Sequence, residues 1–171
     1  MNANACRRPD EVIAYILAHH HAYVREALPR IAGHMLDVTE AHGERHPELY
    51  DVADVFARLT NALLVHMEKE ERILFPWIIE AARQGGYSPP AMYGTIVKPI
   101  LMMEREHEAA AESVALIREL TDGYEPPQDA CAVYRLWLEE LKAFDEDLRA
   151  HVHLENNILF PAAARLETRT P

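Results

Sequence analysis

The sequence contains one short chemical pattern twice. HMEKEERILFP runs from His66 to Pro76, and HVHLENNILFP runs from His151 to Pro161. In both copies a histidine is followed four residues later by a glutamate, and then by the apolar run Ile-Leu-Phe-Pro. Residues at this spacing lie one turn apart on one helix face, so each pair could touch one metal ion or bridge two. Imidazole and carboxylate together suit iron, manganese or zinc.

Both pairs fall on apolar stripes of helical period, where an ionisable side chain would be buried. Burying a carboxylate without a partner is costly, and no lysine or arginine lies on either stripe to act as its counterion. A metal ion would supply the missing positive charge. The two predicted stripes are Phe56, Leu59, Leu63, His66, Glu70, Ile73 and Trp77, and Trp137, Leu141, Phe144, Leu148, His151, Glu155 and Ile158.

Two further apolar stripes bring more histidines inward. One of them places His107 among core residues, and the other admits either His20 or His21 but not His19. Periodicity alone does not choose between His20 and His21. We interpret His34, His46 and His153, like His19, as surface or link residues. The stripes are Ile96, Ile100, His107, Val114 and Ile117, and Ile13, Leu17, Val24, Leu28, Ile31 and Met35.

These stripes need long helices to position them. Strand-like alternation is absent, and turn-forming residues cluster only at 42–47, 84–90 and 121–128. Short links between long helices favour an all-α, antiparallel up-down-up-down four-helix bundle. The predicted helices lie near 9–41, 48–83, 91–120 and 128–167, with kinks or stops expected at Pro29, Pro76, Pro99 and Pro161.

The positions of the histidines along these helices indicate that they can meet. At a rise of about 1.5 Å per residue, one histidine from each helix and the two glutamates converge near the middle of the bundle. His42 lies about 30 Å along a straight helix from His21. We therefore expect His42 to be a helix-end or loop residue outside the centre.

Composition limits the class of protein. A length of 171 residues suits a single domain, 1–171, and a net charge of -11 argues against nucleic acid as a partner. No apolar run approaches the roughly 20 residues that span a bilayer, and the start lacks a secretion signal, so we expect no membrane association and a cytoplasmic protein. Cys6 and Cys131 are too few for a disulfide framework, and Cys131 is predicted to face the core.

With these residues in place, the chain resembles the hemerythrin-like superfamily, and within it the RIC family of di-iron proteins that repair iron centres. The resemblance implies that His21, rather than His20, is the first-helix ligand. It also implies that Glu70 and Glu155 bridge two irons joined by an oxo or hydroxo group. The matching stretches are HAYVREALP (21–29), VTEAHGERHPEL (38–49), HMEKEERILFP (66–76), MEREHEAA (103–110) and HVHLENNILFP (151–161). The implied metal ligands are His21, His66, Glu70, His107, His151 and Glu155.

Two departures refine the resemblance. Repair-type members commonly begin with a small domain bearing a cysteine pair, whereas here about ten residues, with Cys6 alone, precede the first helix. Oxygen-carrying hemerythrins place a second histidine four residues after the third-helix ligand and end with an aspartate. Here Ala111 and Glu155 hold those positions, so the likeness leans to the repair branch.

The implied ligand set leaves one open position on each of two six-coordinate irons, where oxygen or nitric oxide could bind. The favoured function is a stress-response protein that handles iron and nitric oxide and supports the repair of iron-sulfur clusters in client proteins. One alternative is a protein that binds or senses oxygen or nitric oxide. The other is a di-iron enzyme that reduces nitric oxide or peroxide.

Overall fold

The computed structural model describes residues 8–86 and 94–167, and in these ranges it contains helices and no strand. Four long helices run up, down, up and down, as predicted. Helix α1 comprises Pro9–Tyr15, Ile16–His21 and Ala22–His42; α2 comprises Glu48–Lys69, Glu70–Leu74 and Phe75–Gln84; α3 is Val97–Leu120; α4 comprises Ala132–Leu154, Glu155–Leu159 and Phe160–Glu167. A single 3-10 turn, Asp122–Tyr124, follows α3.

Two helices begin later than predicted. Helix α3 starts at Val97 instead of 91, and the predicted residues 91–93 lie outside the described part of the chain. Helix α4 starts at Ala132 instead of 128. The residues before it form a turn, in which the backbone N–H of Ala130 donates to the carbonyl oxygen of Pro127 at 3.0 Å, so they are not helical. Cys131 is the residue before this helix and is exposed, so the prediction of a core position for it was wrong.

A layer of polar side chains divides the apolar core into two clusters. On α2, Met67 belongs to the larger cluster and Leu74 to the smaller one, and Glu70 lies between them. On α3, His107 separates the two clusters in the same way. Apolar packing on both sides fixes the helices at the level of these polar residues, since protein interiors are close-packed and resist displacement.

Three of the four helices contain a π-helical stretch, and each stretch begins or ends at a predicted ligand. The stretches are Ile16–His21, Glu70–Leu74 and Glu155–Leu159. The latter two end two residues before Pro76 and Pro161. A proline ring crowds the preceding turn of a regular helix, and a π turn widens the helix by one residue at that place. The repeated Ile-Leu-Phe-Pro run therefore has a structural role beside the glutamate.

The π stretches shift the helical register by one residue, so three predicted core positions were wrong. Leu17 and Ile73 are exposed, and Ile158 is only partly buried. In the two later stretches the residue that follows, Leu74 or Leu159, is buried instead. A regular period of 3.6 residues fails where an extra residue enters the turn.

None of the four prolines expected to kink or stop a helix ends one, since α2 continues past Pro76 and α4 past Pro161. Pro29 lies inside the last segment of α1, and Pro99 lies in the first turn of α3, where a missing N–H costs nothing. Helix α2 ends at Gln84, and the φ of 71° at the following Gly85 is the left-handed conformation that glycine adopts readily. Within the described residues, no helix combines the length and apolar character needed to cross a bilayer.

Candidate metal centre

The six predicted ligands come together between the two apolar clusters, and all six are buried. They form two groups of four side chains, and within each group the potential ligand atoms lie within 4.8 Å of one another. Both glutamates belong to both groups. The groups are His21, Glu70, His151 and Glu155, and His66, Glu70, His107 and Glu155.

In each glutamate, one carboxylate oxygen faces a histidine of the first group and the other oxygen faces a histidine of the second group. Glu70 Oε2 lies 3.4 Å from His21 Nε2, and its Oε1 lies 3.4 Å from His66 Nε2. Glu155 Oε1 lies 3.0 Å from His151 Nε2, and its Oε2 lies 3.0 Å from His107 Nε2. Two carboxylates that each span two pairs of imidazoles give the arrangement in which two neighbouring cations share both bridges.

The buried polar atoms of the centre lack the hydrogen bonds that such atoms normally make. His21 Nε2, both oxygens of Glu70 and Glu155 Oε2 are inaccessible and have no hydrogen-bond partner. Within the described part of the chain, all ion pairs of the two glutamates are with histidines. Buried carboxylates without a lysine or arginine fit a metal site, because cations would satisfy these atoms together.

The electrostatics of the centre favour positive charge. Burial raises the pKa of Glu155, but the charges of His151 and His107, whose Nε2 atoms lie 3.0 Å from its oxygens, outweigh it, so this pKa is lowered well below its usual range. Burial lowers the pKa of His66, but the close contact with the charge of Glu70 raises it to about 9. Glu155 thus stays ionised, and a proton on His66 supplies positive charge when no metal does.

Two of the histidines are held from behind by carboxylates. His21 Nδ1 lies 2.7 Å from Glu71 Oε1, and Glu71 also accepts two hydrogen bonds from Arg25. His66 Nδ1 lies 2.9 Å from Glu106 Oε2. A carboxylate behind the distal nitrogen fixes the ring and its tautomer and makes the Nε2 atom a stronger ligand. Burial raises the pKa of Glu106, but the hydrogen bonds from Lys69 and His66 outweigh this effect, so the pKa is lowered overall.

The other two histidines differ in their support. His107 Nδ1 donates to Asn156 Oδ1 at 2.9 Å, whereas His151 Nδ1 is buried without a hydrogen-bond partner. The ring of His151 instead stacks on His20, with centroids 5.3 Å apart and planes 6° from parallel. His20 is itself fixed by Asp147 at 2.8 Å.

These supporting residues were missed by the sequence reasoning. Glu71 and Asn156 occupy the same place in the two copies of the repeat, directly after the glutamate, and each bonds a histidine of another helix. The repeat therefore carried a signal at this position. For Glu106 the only indication in the sequence was its position next to His107. The histidine that it contacts, His66, belongs to another helix, α2.

The remaining histidines lie outside the centre. His20 is buried but belongs to neither group, so the structure favours His21 in the choice that periodicity left open. His19 and His153 are exposed, as predicted. His42 is buried at the C-terminal end of α1, the helix-end position expected for it. His34 pairs with Glu140, and His46 lies in the link after α1.

Two cavities reach the half of the centre that contains His66 and His107. One, of about 590 Å³, lies between α2 and α3 and is lined by His66, Lys69, Glu106 and His107. The second, of about 380 Å³, is lined by His107 and residues of α3 and α4, among them Ala111. A small molecule could therefore approach this half from outside the bundle.

A buried layer of four histidines and two shared carboxylates in a four-helix bundle is typical of a metal-binding helical protein. The profile described as "Hemerythrin HHE cation binding domain" matches residues 12–163, and the chain belongs to this family.

Curated relatives extend the likeness. The "Iron-sulfur cluster repair protein YtfE" of Pectobacterium atrosepticum is 38% identical over 157 residues, which are 92% of this chain and 66% of the relative. The protein of the same name from Yersinia pseudotuberculosis is 35% identical over 156 residues, which are 91% of this chain and 66% of the relative. This chain thus spans slightly less than two thirds of the length of these relatives.

Proposed function

We propose that the protein is a non-heme di-iron protein, acting as one hemerythrin-type domain, that supports the repair of damaged iron-sulfur clusters. The observation that carries the proposal is the pair of four-residue groups that share Glu70 and Glu155. The six ligands would be His21, His66, Glu70, His107, His151 and Glu155. Bound iron would supply redox chemistry and open positions for small ligands.

The ligand chemistry fits iron and argues against soft metal ions. The donors are imidazole nitrogens and carboxylate oxygens, and the described centre contains no thiolate that would select softer ions. Two shared carboxylates suit a pair of hard ions in a helical bundle. The family profile names cation binding, which supports a metal without specifying iron.

The relatives support the role in repair. They are named as iron-sulfur cluster repair proteins and resemble this chain over almost all of its length. Repair requires iron to leave the centre, and the carboxylates are the ligands whose hold depends most on the charge of the ion. We therefore propose that Glu70 and Glu155 hold iron firmly in the oxidised centre and loosely in the reduced one. Damaged iron-sulfur proteins would be the partners.

We also propose that the protein works in the cytoplasm. Cys131 is a free, exposed thiol, which suits a reducing compartment better than an oxidising one. Iron-sulfur proteins in the same compartment would be available as clients.

The cavity between α2 and α3 favours a second candidate function, the binding of a diatomic ligand such as oxygen or nitric oxide. It extends to His66 and His107, so a small ligand could reach this half of the centre. Lys69 and Glu106 line the same cavity and pair with each other. Ligand binding without turnover would make the protein a carrier or sensor.

Iron transfer is the direct test of the repair function. The protein, loaded with iron anaerobically and reduced, is mixed with an enzyme whose iron-sulfur cluster has lost iron, and the recovery of that enzyme's activity is measured. We expect recovery with the reduced protein and much less with the oxidised one. Glu155→Leu should fail, whereas Glu146→Leu, which alters an exposed glutamate of the same helix, should behave like the wild type.

Two results would contradict the repair function. Repeated consumption of nitric oxide with an electron donor, without iron transfer from either redox state, would show a reductase. Reversible binding of oxygen or nitric oxide, without consumption or iron release, would show a carrier or sensor.

A further inference from the structure

A second cluster of metal-ligating side chains lies at the link between α1 and α2. His42, His46 and Asp129 each have a ligand atom within 4.8 Å of those of the other two. His42 ends α1, His46 lies in the following turn, and Asp129 comes from the loop before α4. Since His42 is about 30 Å along the helix from His21, this cluster is separate from the buried centre.

The hydrogen bond between His42 and Arg45 shows where a cation fits in this cluster. Arg45 Nη2 lies 3.1 Å from His42 Nδ1, and a guanidinium can only donate. The ring of His42 therefore accepts this hydrogen bond through Nδ1, so a lone pair of the ring faces the cation. Arg45 Nε also lies 3.1 Å from Asp129 Oδ2, so one cation already contacts two members of the cluster.

His46 is oriented as metal-binding histidines are. Its Nδ1 lies 2.9 Å from Glu48 Oε1, and its Nε2 lies 3.0 Å from Asp129 Oδ1. With Glu48 behind Nδ1, the Nε2 atom faces Asp129, so an ion held by both residues would replace the hydrogen bond between them. Tyr134 packs edge-on against the rings of both His42 and His46 and limits their movement.

An incoming ion would displace little that stabilises the protein. The side chain of Arg45 is 62% exposed, so its ion pair with Asp129 is of the solvent-screened kind that contributes little stability. The ion could enter from the adjoining surface cavity of about 220 Å³, where Glu48, Asp122 and Glu125 add negative charge.

We propose that His42, His46 and Asp129 form a second, exchangeable metal site for a divalent first-row transition ion. Two imidazoles and one carboxylate with open positions suit ferrous iron and zinc. The bound ion would take the place of the Arg45 guanidinium and join the α1–α2 turn to the loop before α4. This site does not depend on the proposed role in repair.

Metal titration of the iron-loaded protein tests this site. Zinc is added first, and ferrous iron under anaerobic conditions in a second experiment, and bound metal is measured by equilibrium dialysis. We expect one additional ion per chain while the iron of the buried centre stays unchanged. His46→Ala and Asp129→Asn should each weaken binding by about tenfold or more. His46 is partly buried and Asp129 is exposed, and both lie in links between helices, so the variants should fold.

Arg45→Gln distinguishes a metal site from a purely structural cluster. Removing one unit of positive charge about 4 Å away should strengthen binding roughly fivefold, whereas loss of a structural contact would not. His34→Ala is the matched control, because His34, like His46, is a partly buried histidine paired with a glutamate. The proposal is wrong if no additional ion binds, or if binding is the same in wild type, His46→Ala and Asp129→Asn.

Discussion

The Nε2 atoms of His66 and His107, on neighbouring helices, lie 3.0 Å apart. Two such nitrogens cannot both present a lone pair or both carry a hydrogen at this distance, so the contact needs one shared proton or a cation near both. The two apolar clusters above and below hold the helices in this position. The fold thus keeps together donors that repel one another unless positive charge is present.

Replacing a shared carboxylate should change both metal binding and stability. Glu70→Leu and Glu155→Leu should each lower the iron content from two ions per chain to one or none. In the metal-free protein the same changes should lower the free energy of unfolding by about 3–5 kcal/mol, because each removes one partner of a buried carboxylate–imidazole pair. Iron analysis and urea unfolding of the metal-free variants check this. Full iron content in both variants would show that neither glutamate bridges.

Adjacent histidines on α1 should behave differently. His21→Ala should lower iron occupancy or alter its optical spectrum, since His21 belongs to one of the two ligand groups. His20→Ala should retain the iron, because His20 only stacks on His151. The controls His19→Ala and His153→Ala change exposed residues. Iron loss in His20→Ala together with an intact site in His21→Ala would reverse the assignment.

The carboxylate behind His66 should affect metal affinity without contacting the metal. Glu106→Ala removes the acceptor 2.9 Å from His66 Nδ1 and should weaken metal binding by about 10–100-fold. Glu108→Ala, which alters an exposed glutamate of the same helix, is the control. Competition with a chelator measures both affinities. Equal affinities in the two variants would contradict a supporting role for Glu106.

Metal removal should lower the melting temperature. A ligand at about one hundred times its dissociation constant stabilises the folded state by about 2.7 kcal/mol. For a chain of this size, such a change corresponds to a shift of roughly 5–11 °C. Thermal unfolding with and without chelator measures this shift. Glu155→Leu should show little of it, and a full shift in that variant would indicate binding elsewhere.

A buried ion pair away from the centre should affect stability alone. Tyr124 donates to Asp145 Oδ2 at 3.0 Å, and Arg118 and Arg149 also pair with this carboxylate. Tyr124→Phe should lower the free energy of unfolding by about 1.5–3 kcal/mol, as loss of a hydrogen bond to a buried charge does. Tyr50→Phe, at an exposed tyrosine, should change little. Iron content should be normal in both variants, and iron loss in Tyr124→Phe would show coupling to the centre.

The sequence was sufficient for the helices and for the convergence of the ligands, because a spacing of four residues and the surrounding apolar stripes are local signals. It was not sufficient to predict the π turns or the residues that support the ligands. The π turn after Glu70 exposes Ile73 and buries Leu74, which no regular period predicts. The bond between Glu106 and His66 joins two helices, so only the packed structure shows it. That the six residues bind iron stays a prediction.

The most direct measurement is the iron content of the anaerobically loaded protein, combined with Mössbauer spectra of the oxidised form. It should be repeated in His46→Ala so that iron at the α1–α2 turn is not counted. We predict two irons per chain, magnetically coupled through the bridges, and loss of the coupling in Glu70→Leu and Glu155→Leu. A single uncoupled iron, or a centre that accepts only zinc, would contradict the di-iron assignment.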